Sequence, residues 1–197
     1  MKHSKLDISE VPHALLIEEV LSAQLCETLI TKFEANEDRV QELTTGTSTM
    51  PRNFTEINIS QHWHDEHDLM LNVVQGLWKS YMTHYRILFD VQWPRQFGYE
   101  QFRMKRYLPN DKDQFAHHTD VGSYASSRRF LAFLWYLNTV DQGGETGFGK
   151  TVDTPDLIIP AVRGRVLMFP PLWTHPHWGS KVLSGPKYVI SSYLHYI

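Results

Sequence analysis

Phe130-Leu131-Ala132-Phe133-Leu134-Trp135-Tyr136-Leu137 is an unbroken apolar run of strand length. Its aromatic content and its shortness read as a strand buried on both faces. Other strands surround it in the second half of the chain. Gln101 to Leu108 and Lys187 to Tyr196 alternate apolar and polar residues. Leu157-Ile158-Ile159 and Arg165 to Phe169 are shorter runs, separated by Pro160 and Gly164. Several short strands punctuated by Gly and Pro predict a sandwich or barrel.

The first half has a different period. Leu25, Cys26, Leu29, Ile30 and Phe33 recur at helical spacing, with Ser22 available as N-cap. A longer helix is predicted from about Asp65 to Phe89, with Met70, Val73, Leu77, Tyr81, Tyr85 and Leu88 as its buried stripe. Between them Thr44 to Asn58 is rich in Thr, Ser and Pro, and reads as a loop leading into a short strand, Ile57-Asn58-Ile59. No repeat or linker divides the chain. The reading is an α+β protein of one domain spanning 1–197. Helical support occupies about 1–98, and a jelly-roll (double-stranded β-helix) core occupies about 99–197.

Composition narrows the functional classes. Of 197 residues, 42% are hydrophobic and 21% charged, an ordinary globular mix. Lys+Arg is 19 against Asp+Glu 22, a net charge of -3 with no basic run. That gives no footprint for nucleic acid or an anionic membrane. The lone cysteine, Cys26, excludes an intramolecular disulfide framework and a multi-cysteine zinc site, and its helical spacing places it in the core. No apolar stretch approaches a signal peptide or membrane span, so the expectation is a cytoplasmic protein. His is 11 and aromatics are 13%, which directs attention to a metal or stacking site.

Three positions carry candidate chemistry. In His118-Thr119-Asp120 a period of two turns His118 and Asp120 to one side, offering an imidazole nitrogen and a carboxylate to one metal. Alone the motif also fits a polar turn after a strand. His177 lies 59 residues on (177 − 118), and would complete two histidines and one carboxylate. That set leaves open positions and suits non-haem Fe(II). Lys187 is ten residues further (187 − 177), with Val189 and Ser191 on the same strand face. A lysine beside a hydroxyl can hold a carboxylate, although a single lysine is more often a surface residue.

In order, the chain presents Tyr107, His118-Thr119-Asp120, Arg129, Tyr136-Leu137-Asn138, Gly143-Gly144-Glu145-Thr146-Gly147-Phe148, Pro160 to Phe169, and His177-Trp178-Gly179 with Lys187. This series resembles the 2-oxoglutarate and Fe(II)-dependent dioxygenases, and among them the prolyl 4-hydroxylase-like branch. The resemblance covers about Gln101 to Tyr196. It implies that His118, Asp120 and His177 are the iron ligands and the catalytic centre. It makes Lys187 the partner of the distal carboxylate of 2-oxoglutarate, with Tyr136, Tyr107, Thr146 and Ser191 lining the co-substrate pocket. It implies hydroxylation of an unactivated C–H bond using O2, with release of succinate and CO2, and ascorbate as a candidate reductant. The branch points to a prolyl residue in a peptide or protein. A free amino acid or other small molecule is the alternative substrate, and a non-catalytic metal-binding jelly roll the alternative class.

The chain departs from the family pattern at several points. Relatives often place a Gly and then a Tyr between the first Tyr and His-x-Asp, and here Asn110 and Phe115 stand nearby at slightly different spacing. Gly149 replaces a Pro, Lys181 replaces a Pro, and Trp178 is bulkier than the usual residue. Asn110 is expected to sustain a left-handed turn. His175 competes with His177, and His117 with His118, but the offsets to Gly179 and Lys187 favour His177, and alternation turns His117 away. His62, His64 and His67 beside Asp65 and Asp68 read as a solvated start of a helix. Trp78, Trp135 and Tyr81 are expected in the core, and Trp173, Trp178 and Tyr124 near the substrate opening. The segments Thr44 to Pro51 and Val121 to Ser127 are candidates for closing over substrate.

Overall fold

The computed structural model describes residues 2–3, 6–36, 39–47 and 50–197. In chain order its elements are β1 (Lys2–His3), β2 (Leu15–Glu18), α1 (Ala23–Glu34), β3 (Gln41–Thr47), β4 (Met50–Asn58), α2 (Ile59–His62), α3 (His64–His84) and α4 (Phe89–Gln92). There follow β5 (Phe97–Tyr99), β6 (Arg103–Tyr107), β7 (Gln114–His118), β8 (Arg129–Tyr136), β9 (Thr146–Phe148), β10 (Leu157–Ile159), β11 (Val166–Phe169), β12 (His177–Gly179) and β13 (Lys187–Tyr196). The strands join one curled antiparallel sheet in the order β1-β2-β11-β8-β13-β6-β4-β7-β12-β9-β10, with β3 on β4 and β5 on β13. This is the double-stranded β-helix expected from the sequence.

The central strand β8 shows why the apolar run is continuous. Leu131, Phe133 and Trp135 point to the helices and join a core containing Cys26, Leu29 and Phe33 of α1 and Met70, Val74 and Leu77 of α3. Ala132 and Tyr136 point the other way, into the barrel, with Tyr107, Phe148, Phe169 and Val189. Period-two alternation thus sorts one strand between two cores. The same sorting on β13 sends Ile190 and Leu194 to the helices and Val189 to the barrel. Truncation of a fully buried aromatic such as Phe133 to Ala would cost about 3–5 kcal/mol.

α1 begins where its cap allows. Ser22 Oγ accepts the Leu25 amide at 3.2 Å, satisfying one of the free amides of the first turn. α3 ends at His84, earlier than the predicted Phe89, because Arg86 adopts φ +53 and turns the chain out of helical geometry. The buried stripe accordingly runs Met70, Val74, Leu77 and Tyr81, and Leu88 is exposed.

Two expectations for the first half are corrected. Thr44 to Asn58 is not a loop. Apart from residues 48–49, which lie outside the described residues, it belongs to the β3–β4 hairpin, in register from Gln41↔Glu56 to Thr47↔Met50. Its Thr residues are β-branched and suit a pleated strand, but they gave no apolar alternation to read. The short strand foreseen at Ile57-Asn58-Ile59 is the end of β4, and Ile59 starts α2. The support before residue 98 is also not purely helical. β2 pairs with β11 and β4 pairs with β6 and β7, so both are strands of the barrel sheet. Among the described residues no helix is long and apolar enough to cross a membrane.

Candidate active site

The barrel face of three neighbouring strands supplies the floor of one cavity. β6 contributes Lys105 and Tyr107, β8 contributes Leu134 and Tyr136, and β13 contributes Lys187, Val189, Ser191 and Tyr193. The cross-strand register sets Lys187 opposite Tyr107 and Val189 opposite Lys105 and Tyr136. His118, Asp120, Thr146, His177 and Trp178 complete the walls.

β7 and β12 align the two histidines. Their antiparallel register pairs His177 directly with His118, and the imidazole centroids lie 4.3 Å apart. Asp120, just past the end of β7, brings Oδ1 to 3.4 Å from His118 Nε2 and Oδ2 to 3.6 Å from His177 Nε2. One donor atom from each residue lies within 4.8 Å of the others, and among the described residues this is the one such cluster. The tautomers are fixed by the backbone. His118 Nδ1–H donates to the Ala116 carbonyl at 2.8 Å, and His177 Nδ1–H donates to the His175 carbonyl at 3.0 Å. A carbonyl can only accept, so in the neutral rings both Nε2 lone pairs face the cluster.

Electrostatics prepare the same donor set. Burial pushes the His177 imidazole down to about 4 against the pull of Asp120, so it is neutral at pH 7. Burial alone would raise the Asp120 carboxyl, but His177, His118 and the Tyr193 hydroxyl together hold it well below the usual range. Tyr193 donates its hydroxyl to Asp120 Oδ1 at 2.9 Å. Two neutral imidazole nitrogens and an ionised carboxylate are the donors that fit non-haem Fe(II) with open positions.

Lys187 lies elsewhere in the cavity. Its Nζ is 5.6 Å from the Tyr107 ring centroid and 5.7 Å from that of Tyr136. It is buried and has no hydrogen-bond or ion-pair partner among the described residues. Burial pushes its ammonium down to about 8, opposed by the field of Glu145. An unpaired buried cation is costly unless an anion joins it, so the site fits a carboxylate. Tyr136 donates its hydroxyl to Thr146 Oγ1 at 2.7 Å, and burial pushes its phenol up to about 12. All eight residues singled out by motif therefore face one cavity.

Glycines set the spacing of these walls. Gly143 has φ +75, and a Cβ there would sit 2.3 Å from the Lys181 carbonyl oxygen. A Cβ on Gly147 would sit 2.1 Å from the Trp178 ring. Trp178 is accordingly buried over Gly147 and lines the cavity, whereas Trp173 and Tyr124 are 79% and 97% exposed. The left-handed residue of the turn after β6 is Asp111, with φ +60, rather than Asn110. Asn110 instead closes that turn, its Oδ1 accepting the amides of Lys112 and Asp113.

The competing histidines are otherwise engaged. His175 Nε2–H donates to the Pro12 carbonyl at 2.6 Å while Nδ1 meets the Thr174 hydroxyl. His117 Nε2–H donates to the Gly149 carbonyl at 2.8 Å. Neither joins the cluster. Sequence reasoning missed Tyr193 and Lys105. Extending the period of two from Lys187 and Ser191 reaches Tyr193, and stepping back from Tyr107 reaches Lys105, so the signal was present.

With this geometry in hand, the relatives are informative. Residues 102–195 match the family model described as the 2OG-Fe(II) oxygenase superfamily. The matched residues include His118, Asp120, His177 and Lys187, and with the fold they support a 2-oxoglutarate-dependent dioxygenase. Its fold is that of prolyl hydroxylases. It is similar to the viral collagen prolyl hydroxylase of Paramecium Bursaria Chlorella virus-1, solved as a 2OG complex, at 18% identity and a TM-score of 0.63 over 97% of this chain and 99% of that one. It is similar to a Pseudomonas putida prolyl-4-hydroxylase at 15% identity and a TM-score of 0.68, over 93% and 92% of the two chains. A Trichoplax adhaerens prolyl hydroxylase, in complex with a hypoxia inducible factor oxygen degradation domain peptide fragment, aligns at 14% identity and a TM-score of 0.69, over 93% and 84%. The comparison with curated proteins gives no match.

Proposed function

We propose that the enzyme hydroxylates a prolyl residue of a peptide or protein, converting 2-oxoglutarate and O2 to succinate and CO2. His118, Asp120 and His177 would hold Fe(II), and Lys187 would hold the distal carboxylate of 2-oxoglutarate. The observation that carries this reading is the His177↔His118 register with the Asp120 carboxylate between the two Nε2 atoms, in the same cavity as an unpaired buried lysine. A non-catalytic metal-binding module has no need of that lysine, and the oxygenase family match supports the enzymatic reading.

When bound, the metal and co-substrate supply the oxidising power for C–H hydroxylation. The chain supplies position and surroundings. The backbone carbonyls of Ala116 and His175 hold both imidazoles with Nε2 toward the cluster, so the orientation of each ring would be set before metal enters. Tyr193 holds one oxygen of Asp120 and leaves Oδ2 toward His177. Lys187 would form a desolvated ion pair that fixes the co-substrate by one end. The Tyr136–Thr146 hydrogen bond, with Tyr107 and Ser191, would shape the pocket around it. Phe148 and Phe169, packed at 5.7 Å and 4.8 Å on His177, exclude water from behind the histidine.

The prolyl assignment is supported by the shared fold with prolyl hydroxylases, one of which is bound to a peptide. It is tested with protein reconstituted under argon with Fe(II), then given 2-oxoglutarate, ascorbate, air and proline-rich peptides. The expected product is a peptide heavier by one oxygen atom on proline, seen by tandem mass spectrometry. Oxygen on another residue, or on a free amino acid offered in parallel, would replace the prolyl reading with a different substrate.

A further inference from the structure

A second, polar cavity of about 190 Å³ adjoins the first, and Lys105, Phe115, Asp120, Ser191 and Tyr193 border both. Arg52, Arg103 and Arg129 also line it, as does Glu100. Most of these charges are already matched. Arg129 grips Glu100 through Nε and Nη2 at 2.7 and 2.8 Å. Arg103 donates to Glu56 at 2.6 Å and to Gln101 at 2.9 Å. Asp120 is held within the histidine cluster.

Two cations are left over. Lys105 and Arg52 have no hydrogen-bond or ion-pair partner among the described residues. What they have instead are aromatic faces. Lys105 Nζ lies 5.1 Å from the Phe54 ring centroid and 5.5 Å from that of Phe115. The Arg52 guanidinium lies 4.8 Å from the Phe115 ring centroid. Phe54 and Phe115 are themselves stacked, at 5.7 Å and 12° between planes. This aromatic pair holds both cations at the junction of the two cavities. Cation–π contact orients such groups but does not neutralise them. Lys105 is only partly exposed, so its charge is under-compensated. Lys187, on the next strand, already serves the co-substrate in the reading above, which leaves Lys105 and Arg52 for another anion.

We propose that Lys105 and Arg52 bind a carboxylate of the substrate, placed beside the carbon to be hydroxylated. This selects substrates with an acidic side chain next to the target residue, or with the target at a free C-terminus. The proposal rests on the oxygenase reading of the neighbouring cavity. Bidentate or charge-assisted contact with a carboxylate supplies both the missing counter-charge and a fixed register for the substrate.

The test is equilibrium binding by fluorescence anisotropy, under argon, with protein loaded with Mn(II) and 2-oxoglutarate. The probes are labelled peptides in pairs: Pro-Glu against Pro-Gln, and a C-terminal free proline against its amide. The two pairs separate a side-chain carboxylate from a terminal one. The same pairs with Ala in place of Pro test the carboxylate independently of proline. Wild type is expected to favour at least one carboxylate probe about tenfold over its neutral partner. Lys105→Met and Arg52→Gln are each expected to reduce that preference to within about twofold. In Arg52→Gln, which lies outside the first cavity, binding of the neutral probes and of 2-oxoglutarate, read by titration calorimetry on the same samples, is expected to stay within twofold. The same preference in the Ala pairs would uphold the carboxylate site, and equal affinity for the Pro and Ala forms of the favoured probe would remove the prolyl reading. No preference in any pair overturns the proposal. So does a Lys105→Met protein that loses affinity for 2-oxoglutarate itself, since Lys105 would then serve the co-substrate. Absence of 2-oxoglutarate binding to wild type is a separate result, and overturns both readings.

Discussion

Lys187 is the residue whose chemistry makes the sharpest statement. Its ammonium titrates near pH 8 when the pocket holds no anion, because burial disfavours the charge. The charged form is the one that pairs with a carboxylate, and it is lost as pH rises through about 8. Affinity for 2-oxoglutarate is therefore expected to be level below about pH 7. Above pH 8 it should weaken by up to about tenfold per unit. Calorimetric titration across pH 6 to 9.5 measures this (these pH values are roughly the limits of buffer choice). Lys187→Met is expected to weaken binding roughly a hundredfold, the loss of a charged hydrogen bond worth about 2–3 kcal/mol, and to abolish the pH dependence. A pH slope that survives in Lys187→Met would assign it to another group. Gly147 gives a steric counterpart. Alanine there must displace the Trp178 ring, so Gly147→Ala is expected to cost about 1–3 kcal/mol in urea unfolding. A neutral result would mean that Trp178 moves freely.

At the scale of elements, strand periodicity made the site legible and local composition hid part of its frame. His118, Asp120, His177 and Lys187 could be read because their spacing follows strands that end or begin at them. The face shared by Lys187, Val189 and Ser191 followed from the period of two alone. The pairing of β7 with β12, which sets His177 against His118, could not be read, since those strands lie far apart in sequence. Nor could β2, a four-residue strand whose neighbour β11 arrives about 150 residues later. The β3–β4 hairpin was hidden for another reason. Its barrel face carries Arg52 beside Phe54, so the alternation there is cationic and aromatic rather than apolar. The N-terminal helix was legible down to its cap, and Ser22→Ala is expected to cost about 1 kcal/mol. Chemical denaturation of that variant checks it. An unchanged midpoint would mean the Leu25 amide finds water as a full substitute.

For the whole molecule, the early strand β2 is tied into the barrel sheet beside β11. Arg165, beside β11, donates through Nε and Nη2 to Glu18 of β2 at 3.0 and 2.7 Å, and through Nη1 to the Pro160 carbonyl. Arg165→Ala removes both of these hydrogen bonds to Glu18 and the one to the Pro160 carbonyl. A loss of about 2 kcal/mol is expected in denaturant unfolding. Ligand binding should act in the opposite direction. At a co-substrate concentration about a hundredfold above Kd, linkage supplies about 2.7 kcal/mol. In a chain of this size that raises Tm by roughly 5–10 °C. The rise should need metal and 2-oxoglutarate together, and should vanish in Asp120→Ala.

The central claim is that His118, Asp120, His177 and Lys187 together turn over 2-oxoglutarate. It is tested most directly by succinate release from protein reconstituted with Fe(II), 2-oxoglutarate, ascorbate and O2. Wild type is compared with His118→Ala and Lys187→Ala in the presence of proline-rich peptides. Succinate from wild type, stimulated by peptide and lost in both variants, is the expected result. Succinate at the same rate from either variant would contradict the assignment of the site.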